Sequence, residues 1–209
     1  MIEVSEQTID RMHVLLAGIE DADKKVLKPA LTRGLMAGKT AAKKAVRQTY
    51  HISASDFDNR GRLQYNAVSE EGDGVIGSLQ FSGGVIPLMK FKVSPAQPKK
   101  NKTPSAAVLK ASSLVAFESK KNVFVAQMKS GHIGIFERQS NKYSSSRGAG
   151  RTKHTQTLRE LLSPAVPQMV GNQEVMRTVE DRVNEVINQR IDHEIERLLD
   201  LLTIDVSVP

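Results

Sequence analysis

The 209-residue sequence contains no cysteine and no tryptophan, and only 4% of it is aromatic. Without cysteine there is no disulfide framework, no thiolate metal site and no thiol nucleophile. With so few rings, the core must be assembled from Val, Ile, Leu, Met and Ala. No apolar run approaches the roughly 18 residues that a membrane span requires. The first ten residues, MIEVSEQTID, are acidic and lack the basic start and apolar block of a secretory signal. The expectation is a protein made in a reducing cytoplasm and kept off membranes.

Sequence signatures of common chemistries are also missing. There is no HExxH, no GxGxxG and no GxxxxGK[ST], so zinc-protease, dinucleotide and P-loop phosphate chemistry find no support. His193 with Glu194 and Glu196 has the spacing of half a metal site, but a solvated polar helix face accounts for it more simply. His132 lies in a glycine-bounded turn with no acid or nucleophile beside it in sequence, which reads as a turn role. SSSRGAGR (144–151) has the composition of a phosphate cradle, though a flexible loop with no such role is the better account of it. Glu70, Glu71 and Asp73 read as surface acids of a turn. No catalytic residue, metal ligand or cofactor site is assigned.

What the sequence does contain is charge, unevenly placed. The formal net charge is +7. Residues 1–23 carry six acids and one arginine, while residues 24–48 carry eight bases and no acid. Residues 90–128 hold eight lysines against Glu118, and residues 172–209 hold nine acids against four arginines. Acidic ends around basic middle segments point to complementary faces within the fold or between copies. A uniformly basic coat for nucleic acid would look different. The alternative reading remains a non-specific nucleic-acid-binding protein using segments 24–48, 90–121 and 139–159. Basic clusters at Lys43-Lys44, Lys99-Lys100-Lys102, Lys120-Lys121 and Arg147/Arg151/Lys153 supply cations, but only Tyr143 offers a ring for stacking.

Hydrophobic spacing orders the chain. Ile9, Met12, Leu16 and Ile19 predict a helix over 5–22, with Ser5 or Thr8 as its cap. A second helix over 26–49 carries a small-residue row of Gly34, Gly38, Ala41, Ala42 and Ala45, which lets another backbone approach. Gly34, Gly38, Lys43, Lys44 and Arg47 are therefore read as a subunit interface. Period-2 runs predict strands at 62–68, 75–82, 85–93, 123–128 and 132–138, with Pro87 favouring an edge. Residues 109–117 fit strand or helix. Segments 94–106 and 139–156 read as flexible loops. Asn172 is the expected cap of a long helix over 173–202, whose valines and isoleucines repeat at three- and four-residue spacing. The expected fold is one α+β domain over 1–209, with N-terminal helices and a long C-terminal helix packed on a largely antiparallel sheet.

Two segments carry a resemblance. One runs from Phe124 to Arg138 and contains Ser130, Gly131, His132, Gly134, Phe136 and Arg138. The other runs from Leu158 to Asn172 and contains Pro164, Pro167, Gln168 and Met169. Together they resemble the minor tail protein Z family of tailed bacteriophages and prophages, also called tail completion proteins. The family pattern is a strand, an S-G-H-x-G-x-F-x-R turn, a linker, a G-P-S-V-P-Q-M-like turn and a long helix. Here Ser163-Pro164-Ala165-Val166 replaces G-P-S-V. The resemblance implies a structural virion protein rather than an enzyme. It would act at the head-proximal end of the tail and be made in the host cytoplasm. It also implies a self-assembled ring, in all expectation a homo-hexamer, contacting tail terminator, tail tube or neck proteins. Lys99, Lys100, Lys102, Arg147, Arg151 and Lys153 are its candidate contacts with those partners or with DNA in the lumen.

Overall fold

Helices begin and end where the sequence provides caps and breakers. A computed structural model of the chain describes residues 6–17, 19, 21–71, 74–118, 122–148 and 151–205; at 6, 63–71, 74, 140–148, 151–156 and 202–205 it describes the backbone alone. In chain order the elements are α1 (Glu6–Leu15), α2 (Ala22–Thr49), α3 (Ala54–Arg60), β1 (Gly61–Glu71), β2 (Gly74–Gly83), β3 (Val85–Pro87) and a 3-10 turn (Leu88–Lys90). There follow β4 (Lys92–Ser94), β5 (Ser105–Ala107), β6 (Val115–Ala116), β7 (Val123–Gln127), β8 (Ile133–Gly148) and β9 (Arg151–Glu160). β10 (Leu162–Ala165), α4 (Val166–Val170) and α5 (Gln173–Asp205) complete the chain. The class is α+β, with a long C-terminal helix. The strands do not form one sheet: they pair as β1-β2, β10-β3, β4-β5-β6 and β7-β8-β9. The β10-β3, β4-β5-β6 and β7-β8-β9 ladders are antiparallel.

The chain divides into two compact units. The first comprises residues 1–45, 62–82 and 170–209. Here α2 and α5 meet through small residues: a β-carbon on Gly38 would lie 2.7 Å from Val183 Cγ2, and one on Gly34 would overlap Ile187. Val26, Ala30 and Ala42 of α2 are fully buried, as is Val175 of α5, with Ile187 and Ile191 nearly so. Met12 of α1 and Leu16 just beyond it are buried as well. Pro29 falls inside α2 rather than in its first turn; the helix continues through it, giving up one backbone donor. Asn172 caps α5 as expected, its Oδ1 accepting from the Glu174 N–H at 3.0 Å.

The second unit comprises residues 46–61 and 83–169. Its core gathers Leu88, Ala106, Val123, Val125 and Ile135. The expected strand 85–93 is interrupted, because Pro87 has no N–H to donate and the chain turns at Leu88–Lys90 before β4 resumes. Within 109–117 the chain makes a bridge from Leu109 to Tyr50 and then the short strand β6.

The largest departure from expectation is at 139–156. The flexible loop expected there is instead paired backbone: Tyr143↔Gln156 through Gly148↔Arg151 extend the β8-β9 ladder, after a register break between Arg138 and Tyr143. A ladder of this kind is held by backbone hydrogen bonds and needs no apolar face, so it leaves no hydrophobic period to read. The segment 94–106 keeps its open character between β4 and β5, with Pro104 buried at its end.

Candidate functional site

The two motif segments meet in the second unit. Residues 123–127 and 133–137 pair as a hairpin, Val123↔Glu137 to Gln127↔Ile133. Its turn closes through Met128 N–H donating to the His132 carbonyl at 2.7 Å and Gly131 N–H donating to Met128 at 2.9 Å. Gly131 has φ +85°, a left-handed conformation that glycine adopts without penalty. Gly134 has a different reason to be glycine: a β-carbon there would meet Glu160 Oε1 at 2.7 Å and the Phe136 ring at 2.9 Å.

Glu160 joins the second segment to the first. It stands opposite Phe136 in the β8-β9 register and its Oε1 lies 2.7 Å from His132 Nε2. The next residue continues the join, Leu161 N–H donating to the Ile135 carbonyl at 2.8 Å. The His132 ring stands edge-on to Phe136 at 6.3 Å, and Phe136 is buried. On the other flank the Arg138 guanidinium lies 4.5 Å over the Phe124 ring, and Arg159 pairs with Glu137. A histidine held by a carboxylate is able to move a proton. Here carboxylate and ring edge together lock the imidazole on the rim of a turn.

The second segment turns into helix by a capping arrangement. The Gln168 side-chain oxygen accepts from the Ala165 N–H at 2.8 Å, which is the reach-back half of a capping box. Pro167 sits in the first turn of α4, where its missing N–H costs nothing. Val166 and Met169 are fully buried, Ser163 is buried and Pro164 half-buried.

The remaining candidates are dispersed. Gly34 and Gly38, read as a subunit interface, are instead occupied by Ile187 and Val183 of the same chain; a small-residue row does not say which helix it receives. Lys44 and Arg47 are exposed on α2 and Lys43 is half-buried. Lys99, Lys100 and Lys102 are exposed between β4 and β5. The backbones of Arg147, Arg151 and Lys153 lie on the β8-β9 ladder. Lys120, Lys121, Asp73 and Ser5 lie outside the described residues, as does part of SSSRGAGR.

Sequence reasoning missed two acids. Glu160 has no motif that joins it to His132, since 28 residues separate them. Glu194, read with His193 as part of a solvated face, is buried between Arg190 at 2.6 Å and Arg197 at 2.7 Å, while His193 and Glu196 are exposed. Among the described residues, no three His, Asp or Glu side chains converge as a metal would need. No described helix is long and apolar enough to cross a membrane. Among the described residues, the first unit has cavities of two kinds. One, of about 470 Å³, is lined by His13, Asp21 and Asp23; the other, of about 340 Å³, is apolar and lies between α2, β2 and α5.

No family model, curated protein or solved structure matches this chain.

Proposed function

We propose that this protein is a structural component of a tailed-phage or prophage virion, completing the head-proximal end of the tail at the head–tail junction. The observation that carries the reading is the interlocking of the two segments that resemble the minor tail protein Z family. His132 and Phe136 of the first meet Glu160 of the second, and the second then leads through α4 into the long helix α5. Residues 130–138 and 158–172 thus work as one framework. Gly131, Gly134, Phe136, Gln168 and Met169 each have a packing or turn role in it.

In this role the protein assembles with itself into a ring, taken to be a hexamer, against terminator, tube or neck proteins. The exposed Lys99, Lys100 and Lys102 are the basic surface offered to those partners or to DNA in the lumen. The deciding experiment is electron microscopy of particles assembled without the protein. Expected are tails that fail to join heads or to deliver DNA. Normal-length tails on filled, infectious heads would sink the reading.

A further inference from the structure

The exposed faces of α2 and α5 carry opposite charge, and the fold turns them away from each other. Within the first unit, Lys25, Lys28, Arg33, Lys39 and Lys44 are exposed on α2. At 3.6 residues per turn they all fall on the half of the helix centred on Met36, over about 30 Å. Residues 24–48 contain no acid to interrupt them. On α5, Glu174, Asp181, Glu185, Asp192 and Glu196 are exposed and line up within about 40° of Glu185, again over about 30 Å.

The packing fixes the directions of these rows. Gly34 and Gly38 meet Ile187 and Val183, so the two helices run antiparallel at their contact. Met36 lies midway between the glycines, and Glu185 midway between Val183 and Ile187. Each charged row is therefore centred on the side of its helix opposite the shared contact. Arg177 and Arg182 flank the acid row, Arg182 pairs with Glu185 at 2.6 Å, and Arg11 reaches Asp192 at 3.0 Å. Five acids against those three arginines keep the row negative.

We infer that the α2 row of one copy docks on the α5 row of the next, as the contact that propagates the proposed self-assembly. Matched rows of similar length on opposite sides of one unit generate a head-to-tail contact, which closes as a ring or runs on as a filament. The occupant is a second copy because the complementary surface is present on the same molecule, with a similar length. The inference rests on the assembly role proposed above and specifies its surfaces.

Sedimentation velocity on the purified full chain tests it, with three proteins compared. One carries Arg33→Glu, Lys39→Glu and Lys44→Glu; another carries Glu174→Lys, Asp181→Lys and Glu185→Lys; the third is unaltered. All six positions are exposed, and circular dichroism checks that each variant keeps its helix content. The unaltered chain should assemble, with affinity falling about tenfold or more between 0.05 and 0.5 M salt. Each variant alone should sediment as a monomer. An equimolar mixture of the two should assemble again, because alternating copies restore opposite charges at every contact.

If both variants assemble like the unaltered chain, the inference is overturned while a ring through other surfaces stands. An unaltered chain that stays monomeric at high concentration overturns both. A third result also overturns it: the unaltered monomer binds a random-sequence DNA duplex, and only the α2 variant loses that binding. The basic row would then serve phosphates instead.

Discussion

A β-carbon on Gly34 of α2 would overlap the Ile187 side chain of α5. Gly38 stands in the same relation to Val183, at 2.7 Å. On an exposed helix, Gly→Ala raises stability by roughly 1 kcal/mol. Here the sign reverses, because the added methyl must push a packed branched side chain. Gly34→Ala and Gly38→Ala are each expected to lower stability by about 1–3 kcal/mol, the range of core overpacking. Urea denaturation followed at 222 nm checks it. Stabilisation by either change would show that the two helices are not in close contact there.

Glu194 offers a second test. Its side chain is almost fully buried, held by Arg190 and Arg197 from the same helix. Replacing one partner of a buried pair leaves the other desolvated and uncompensated. Arg197 is half exposed and recovers water, so the loss is smaller than for a fully enclosed pair. Glu194→Gln should destabilise by about 2 kcal/mol. Glu196→Gln, two residues along the helix and exposed, should change stability by less than about 0.5 kcal/mol. Equal effects at the two positions would refute the burial of Glu194.

Acid sensitivity should reside partly in Asp56. Burial works to raise its pKa, but the hydrogen bond from Ser53 and the Lys90 ammonium at 2.9 Å outweigh it, and the net shift is downward. A carboxyl with a lowered folded pKa contributes stability above its unfolded value, near 3.8, and loses it as the pH falls through the folded value. Asp56→Asn should therefore cost about 1 kcal/mol at pH 7 and much less below pH 3. His51 adds to the same trend at higher pH. Burial first, then Lys92 and Lys110, lower its pKa. Its protonation below about 6.5 therefore opposes folding, so stability rises with pH through that window. Melting temperatures of both forms between pH 2.5 and 8 decide it. Parallel curves for Asp56→Asn and the unaltered chain would contradict this role.

Helices were the legible part of this sequence. The stripe from Val175 through Leu198 repeats every three or four residues, and Asn172 marks its start, so α5 follows from periodicity and cap together. The β7-β8 hairpin was equally readable from alternating residues around Ser130-Gly131. The extended β8-β9 ladder was not, because residues 139–156 are polar throughout and strand pairing by backbone leaves no mark on such a segment. The small-residue row of α2 showed that something would come close. Whether it was a helix of the same chain or of a neighbour depended on Ile187 and Val183, some 150 positions away. Glu160 was hidden for the same reason: its link to His132 exists only once β9 lies beside β8.

The two glycines of the first motif segment provide the last prediction, since they are required for different reasons. Gly131 has φ +85° and open space where a β-carbon would go. Alanine there meets only backbone strain, about 1 kcal/mol. Gly134 is pressed by the Glu160 carboxylate and the Phe136 ring, so alanine must displace the residue that holds His132. Gly134→Ala should cost about 2–3 kcal/mol and should break the His132–Glu160 pair. Gly131→Ala should leave that pair intact. Thermal denaturation gives the stabilities, and the imidazole nitrogen chemical shifts of His132 at one fixed pH report the pair. Those shifts should move to the values seen in Glu160→Gln when Gly134 is replaced, and should stay in place when Gly131 is. If Gly131→Ala moved them and Gly134→Ala did not, the assignment of their roles would be reversed.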